Sequence, residues 1–389
     1  MSSSYWIATQ RSRQPPTGRA GRALDRCLVA VFDEPTGMAG SAVPERWHTV
    51  VLLMTKSVRR WRAGMTIGAG EAYRERLETL SAGSVRRNFN PYLDIDWDSA
   101  AYLVVDNDER WVLADSDPIG NSAWYKAQPR EKQIAIGLWR QANVAKAGLQ
   151  FESMLIRGIL AYTFWMPNGS PEYRYCMHEA VEECNHTMMF QEMVDRTGID
   201  VPGLPRWLRW LNWLPPLLAV PMPVFFWVMV LCGEEPIDHL QKSILREGAS
   251  LHPIMERVMA IHVAEEARHI SFAHEFLHRR IPDMPRRNKF ALSLIYPLVF
   301  RIAASLISKP PRSFWTEFEI PRSVKKEIFW RSAESREMLR NFYGDVRMLA
   351  EDTGLMNPIA RLLWRMLRIS GPSSRYRGEP VRRQLVSAA

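Results

Sequence analysis

Along most of the chain, apolar residues recur every three or four positions, and few stretches alternate apolar with polar residues. A period near 3.6 marks amphipathic helices, whereas alternation marks half-buried strands. The pattern therefore predicts an all-α protein. Four long helices are expected at roughly residues 131–165, 172–197, 222–248 and 251–280. Pro167-Asn168-Gly169 breaks the first from the second. The next break is longer: residues 198–222 hold seven Pro or Gly together with Trp207, Trp210 and Trp213. Such a long crossover joins the two halves of some four-helix bundles. One or two helices are expected within 44–82, and others near 286–308, 321–350 and 355–369. Residues 83–130 carry turn residues and short extended pieces at 101–105 and 111–113, which read as a hairpin or a long ordered loop.

Chemistry changes this picture at two places. Residues 182–186 read Glu-Glu-Cys-Asn-His and residues 265–269 read Glu-Glu-Ala-Arg-His. Each puts a Glu three residues before a His: Glu183 with His186, and Glu266 with His269. On a helix those side chains are neighbours on one face. Glu152 lies 31 residues before Glu183, and Glu234 lies 32 before Glu266, so the arrangement is a near-repeat. One Glu on each of two helices, with Glu-x-x-His on two others, is how a four-helix bundle holds two iron or manganese ions. Glu152 falls in an apolar stripe with Leu149, Leu155, Ile156 and Ile159. Glu234 falls between Leu231, Ile237 and Gln241, while Glu235 shares a face with Asp238, His239 and Lys242 that reads as solvated. Glu234 is therefore preferred as a ligand, and Glu235 stays open as the alternative. A carboxylate on a core face calls for a partner or a metal.

His262 adds a seventh candidate. It precedes Glu266 by four residues and His269 by seven, so all three share one helix face. The equivalent position in the first half is Glu179, which has no counterpart arguing for metal. An extra imidazole suits iron. Asp238 fits either a partner to a ligand His or a helix-surface acid. Arg268 reads as an ion-pair partner near the site or a surface residue, and Cys184 as a small core residue rather than a ligand. The aromatic and Met residues of these helices, such as Met154, Phe164, Met188 and Phe190, read as core.

With these motifs in hand, the chain resembles the AurF-type diiron N-oxygenases, whose type member oxidises p-aminobenzoate, over roughly residues 70–280. Asn90-Pro91, Asp94-Ile95-Asp96-Trp97, Gly148-Leu149-Gln150-Phe151-Glu152 and the run Ile261 to His269 carry the resemblance. It implies a ferritin-like four-helix bundle with additional N- and C-terminal helices. It implies Glu183 and Glu266 as bridging carboxylates, Glu152 and Glu234 as terminal ligands, and His186, His262 and His269 as nitrogen donors. The implied cofactor is a pair of Fe ions, with Mn fitting the same ligand set. The implied partners are O2, a small-molecule substrate and an electron donor or reductase. N-oxygenation of an arylamine-type nitrogen leads. The alternatives are a desaturase or C–H hydroxylase on an apolar substrate and, behind it, an iron-storage or structural bundle.

Composition then bounds the rest. The 389 residues suit a single helical domain at 44–370, with a flexible basic arm at 1–43 and a basic tail at 371–389. The net charge is +9, and no groove-reading motif accompanies it, so nucleic-acid binding is rejected. The four Cys are widely spaced, and residues 1–43 lack an apolar signal core. A cytoplasmic location is expected. Residues 289–307 approach the length of a membrane span but contain Arg301, and read as a buried core helix. Trp207 to Trp213 have interfacial character, yet the balance goes against peripheral membrane contact. The apolar C-terminal helices are compatible with a homodimer.

Overall fold

Proline and glycine punctuation sets the ends of the long helices. Pro171 and Pro253 stand at first helical positions, where the missing N–H costs nothing. Gly198 ends the second long helix in a left-handed conformation, φ 67°. The computed structural model describes residues 70–247, 251–329 and 332–373. All of them belong to the larger of two units, Met54–Ala389. The expected basic arm at 1–43 and nearly all of the basic tail lie outside the described residues.

Fourteen α-helices and two 3-10 turns occur among the described residues, with no strand. The helices are α1 (Glu71–Arg86), α2 (Ala123–Lys126), α3 (Arg130–Thr163), α4 (Pro171–Thr197), α5 (Arg206–Trp210), α6 (Leu214–Leu218) and α7 (Pro223–Glu247). Then follow α8 (Pro253–Arg280), α9 (Arg286–Ser308), α10 (Arg312–Glu317), α11 (Arg322–Ile328), α12 (Ala333–Asn341), α13 (Gly344–Asp352) and α14 (Pro358–Met366). The protein is all-α, and α3, α4, α7 and α8 are the four long helices expected from the sequence. α3 packs on α4 and α7 on α8, and contacts of α3 with α7 and α4 with α8 close the bundle. The short α5 and α6 lie in the crossover, α1 covers α4 and α8, and α9 packs on α7.

Two aromatic rings set how closely α3 and α7 approach. A Cβ on Gly233 would lie 2.1 Å from the Phe151 ring, and one on Gly158 would lie 2.2 Å from the Phe226 ring. Each helix thus receives a ring from the other at a position with no side chain. Phe151 precedes Glu152 and Gly233 precedes Glu234, so this lock places both carboxylates. Gly233→Ala is expected to lower unfolding stability by about 1–3 kcal/mol through overpacking. Denaturant titration checks this, and an unchanged midpoint would show that the lock yields freely.

Several expectations need correcting. Of the two readings of residues 101–105 and 111–113, the ordered loop holds and the hairpin does not, with 3-10 turns at Ala100–Tyr102 and Glu109–Trp111. Trp111 and Leu113 are buried, with Trp111 stacked on His252 at 4.6 Å, while Leu103 and Val105 are exposed. The helix expected over 321–350 is three. Phe329 turns extended to set its ring against Trp315, and Ser332 caps α12. α9 is not a buried core helix: only 33% of its most apolar stretch is buried. Phe164, Met188 and Cys184 are exposed rather than core.

Candidate metal centre

The bundle interior collects the acids and imidazoles that its helices carry. α3 supplies Glu152, α4 supplies Glu183 and His186, α7 supplies Glu234, and α8 supplies His262, Glu266 and His269. All seven are buried. Six fall into two overlapping quartets: Glu152, His186, His262 and Glu266, and Glu183, His186, Glu266 and His269. Within each quartet one donor atom per residue lies within 4.8 Å of the others. Glu266 and His186 belong to both. Glu234 stands outside the quartets but faces them, since the charges of Glu266 and Glu183 act on it.

Each imidazole turns one nitrogen inward and anchors the other. His269 Nδ1 lies 2.8 Å from Glu183 Oε1, while its Nε2 meets Glu182 Oε2 at 2.7 Å. His186 Nδ1 lies 3.4 Å from Glu183 Oε2, while its Nε2 meets Glu265 Oε2 at 2.9 Å. His262 Nε2 lies 3.1 Å from Glu152 and 3.2 Å from Glu266, while its Nδ1 meets Gln241 Oε1 at 2.8 Å. An acceptor on the outer nitrogen keeps the proton there and leaves the inner lone pair free for a metal.

The outer Glu of each motif therefore serves the other motif's His. Glu182 on α4 holds His269 on α8, and Glu265 on α8 holds His186 on α4. Arg268 Nη2 bonds Glu182 at 2.7 Å and Glu265 at 3.4 Å, tying the two supports together. Sequence reasoning missed both glutamates, although the doubled Glu-Glu spelled them out. Glu265→Gln is expected to weaken metal binding about 10–100-fold. Competition with a chelator measures it, and an unchanged affinity would reduce Glu265 to an ion-pair partner of Arg268.

Other placements differ from expectation. Glu235 does not lie on a solvated face: it is buried and bonded to His274. The C-terminal helices cover that face, with Phe342 against His239 and α9 against α7. Asp238 is neither a surface acid nor a partner to a ligand His. It is buried and paired with Lys242 at 2.7 Å, and burial pushes its carboxyl up to about 7. Glu179 is fully buried, with no hydrogen-bond partner on either oxygen. It stands four residues before Glu183, just as His262 stands before Glu266.

The electrostatics fit cations. Burial pushes the Glu152 carboxyl up to about 7, and the Glu183 charge adds to the rise. Burial also raises Glu234 and Glu179 well above the usual carboxylate range. Burial alone would raise Glu183, but His269 and His186 outweigh it and hold its carboxyl low. Burial favours neutral His186 and His269, yet the facing carboxylates raise both rings well above the usual range. Both oxygens of Glu234 and one each of Glu152 and Glu266 lack hydrogen-bond donors. Buried acids without partners are costly, and divalent ions supply the missing charge. The residues present fit a pair of such ions.

A cavity of about 330 Å3 opens beside the cluster. Glu152, Glu234, His262 and Glu266 line its inner end, and Phe151, Met154, Leu155, Phe190, Met229 and Met259 are among its apolar walls.

A helical bundle with a carboxylate on each of two helices and Glu-x-x-His on two others has the architecture of the dimetal carboxylate proteins. The chain belongs to the p-aminobenzoate N-oxygenase AurF family, whose sequence model matches residues 70–354. It is 64% identical over 334 residues to uncharacterized protein Rv0885 of Mycobacterium tuberculosis and, equally, to uncharacterized protein Mb0909 of Mycobacterium bovis. Each match covers 86% of this chain and 98% of the relative.

Proposed function

We propose that the protein is a diiron oxygenase that uses O2 to oxidise an organic substrate, with N-oxygenation of an arylamine-type nitrogen as its reaction. The observation that carries this reading is the pair of overlapping Glu/His quartets at the inner end of an apolar cavity. Glu152, Glu183, His186, Glu234, His262, Glu266 and His269 would hold the ions; the family resemblance would make Glu183 and Glu266 the bridging carboxylates, and of these Glu266 is common to both quartets. Two ferrous ions, once bound, supply the electrons that reduce O2 to an oxidising species.

The chain's own residues do the rest. Glu182, Glu265 and Gln241 fix the three imidazoles so that a lone pair faces inward. Phe151, Phe190 and the Met side chains keep water from the reacting end, which strengthens every charge interaction there. The cavity size suits a small organic molecule. Turnover needs an external electron donor, such as a reductase.

The apolar walls favour a second reading, oxidation at carbon of an apolar substrate. Incubating the iron-loaded, reduced protein with O2 and a panel of arylamines separates the two. Oxygen uptake with hydroxylamine or nitro products supports N-oxygenation. An inert panel, together with carbon-oxidised products from apolar amphiphiles, would replace it with the second reading.

A further inference from the structure

α9 has the length and apolarity of a membrane-crossing helix, yet only 33% of its most apolar stretch is buried. Phe290, Ile295, Leu298 and Ile302 are exposed along it. α14, packed against α9, exposes Ile359, Leu362 and Met366, which share one helix face. The crossover exposes Trp207, Trp210, Trp213, Leu214 and Leu217, with Trp210 at 71%. α14 packs on α9, and α9 and the crossover line one pocket, so these elements adjoin; adjoining exposed apolar residues mark an interaction site.

The cavity connects these elements. Trp207 and Ile302 both line it and are both more than half exposed. The pocket that begins at Glu152, His262 and Glu266 therefore opens between the crossover and α9.

The charges identify what covers this face. Residues 206–222 and 286–308 carry six Arg or Lys (Arg206, Arg209, Arg286, Arg287, Lys289 and Arg301) and no Asp or Glu. A symmetric dimer through this face would set these cations against their own copies, and it would close the pocket mouth. An anionic bilayer meets both features. Trp side chains favour the headgroup level, and Arg and Lys favour anionic lipid. α9 itself lies against α7 with Tyr296, Pro297 and Phe300 buried, so the helix would rest on the bilayer rather than cross it.

We propose that α5, α6, α9 and α14 form a docking surface for anionic membranes, and that the pocket draws a lipophilic substrate from the bilayer through the mouth between Trp207 and Ile302. The substrate part rests on reading the cavity as the site of oxidation.

The test is co-sedimentation of the full chain with vesicles of phosphatidylglycerol and phosphatidylcholine, against vesicles of phosphatidylcholine alone. Native protein is expected to pellet with the anionic vesicles, and Trp210→Ser/Trp213→Ser/Leu217→Ser to bind them about tenfold more weakly or worse. Arg209→Glu/Arg286→Glu is expected to lose the preference for anionic lipid. Absence of vesicle binding by the native protein overturns the proposal. So does a dimer that the Trp210 variant dissociates, since a second copy would then cover the face. Uptake of cis-parinaric acid, a fluorescent apolar probe, reports the pocket. Native protein should bind it and Met229→Trp should not; no uptake by native protein overturns the substrate claim. Iron content is measured on the same samples. Iron without vesicle binding leaves the metal reading standing and removes the docking surface. Vesicle binding without iron does the reverse.

Discussion

Glu266→Ala is expected to empty both metal positions at once. Glu266 belongs to both quartets, lying 3.2 Å from His262 Nε2, 3.5 Å from His269 Nδ1 and 3.7 Å from His186 Nδ1. Losing a ligand that serves one ion weakens that ion; losing the shared carboxylate weakens both and leaves the imidazoles without their common acceptor. Affinity is expected to fall by more than about 100-fold, beyond the range typical of outer partners such as Glu265. Elemental analysis after anaerobic Fe(II) loading and desalting reads this directly. Glu234→Gln makes the contrast: it should spare one position and should not unfold the metal-free protein, because it removes an unpartnered buried acid.

The metal-free protein is expected to lose stability as pH rises from about 5 to 8, and bound metal is expected to reverse that trend. The buried Glu152 carboxyl titrates near 7 rather than 4.5, so its neutral form suits the fold. Its contribution is complete below the unfolded value and is lost as pH climbs through about 7, a loss of up to about 3 kcal/mol. Asp238, also pushed up to about 7, acts in the same direction. The protonated rings of His186 and His269 stabilise below their raised values and are lost as pH rises through them. Glu183, held low by those rings, is already ionised throughout this window. Metal binding needs the ionised carboxylates and neutral imidazoles, so its stabilisation grows with pH. Melting temperatures at several pH values, with EDTA and with Mn(II), should diverge as pH rises. A chelated protein whose melting temperature is flat or rising would mean that these acids do not confront one another.

Much of the bundle was legible because helical phase is a local property. The spacing of Glu152, Glu183, His186, Glu266 and His269 put them on core faces, and Pro-Asn-Gly and the long crossover divided the helices. What depended on neighbours was not legible. Glu182 and Glu265 each sit one residue, about 100°, from the inward Glu. Whether that direction meets another helix's His depends on how α4 and α8 pack. Glu235 read as solvated because its helix, taken alone, offers a polar face there; α9 and Phe342 cover it from far along the chain. α9 itself shows the converse, since its apolarity suggested burial, yet Phe290, Ile295, Leu298 and Ile302 are exposed along it. Glu179 was hinted at by its position relative to Glu183; its full burial, with the charges of His269, Glu183 and Glu266 acting on it, sets it beside the cluster.

The most direct test of the central claim is anaerobic Fe(II) titration of the native protein, with bound iron counted per chain. Saturation is expected at about two ions per chain, with uptake lost in Glu266→Ala. No stoichiometric iron, or equal uptake by native protein and Glu266→Ala, would contradict it and leave the buried acids and imidazoles as a hydrogen-bonded core.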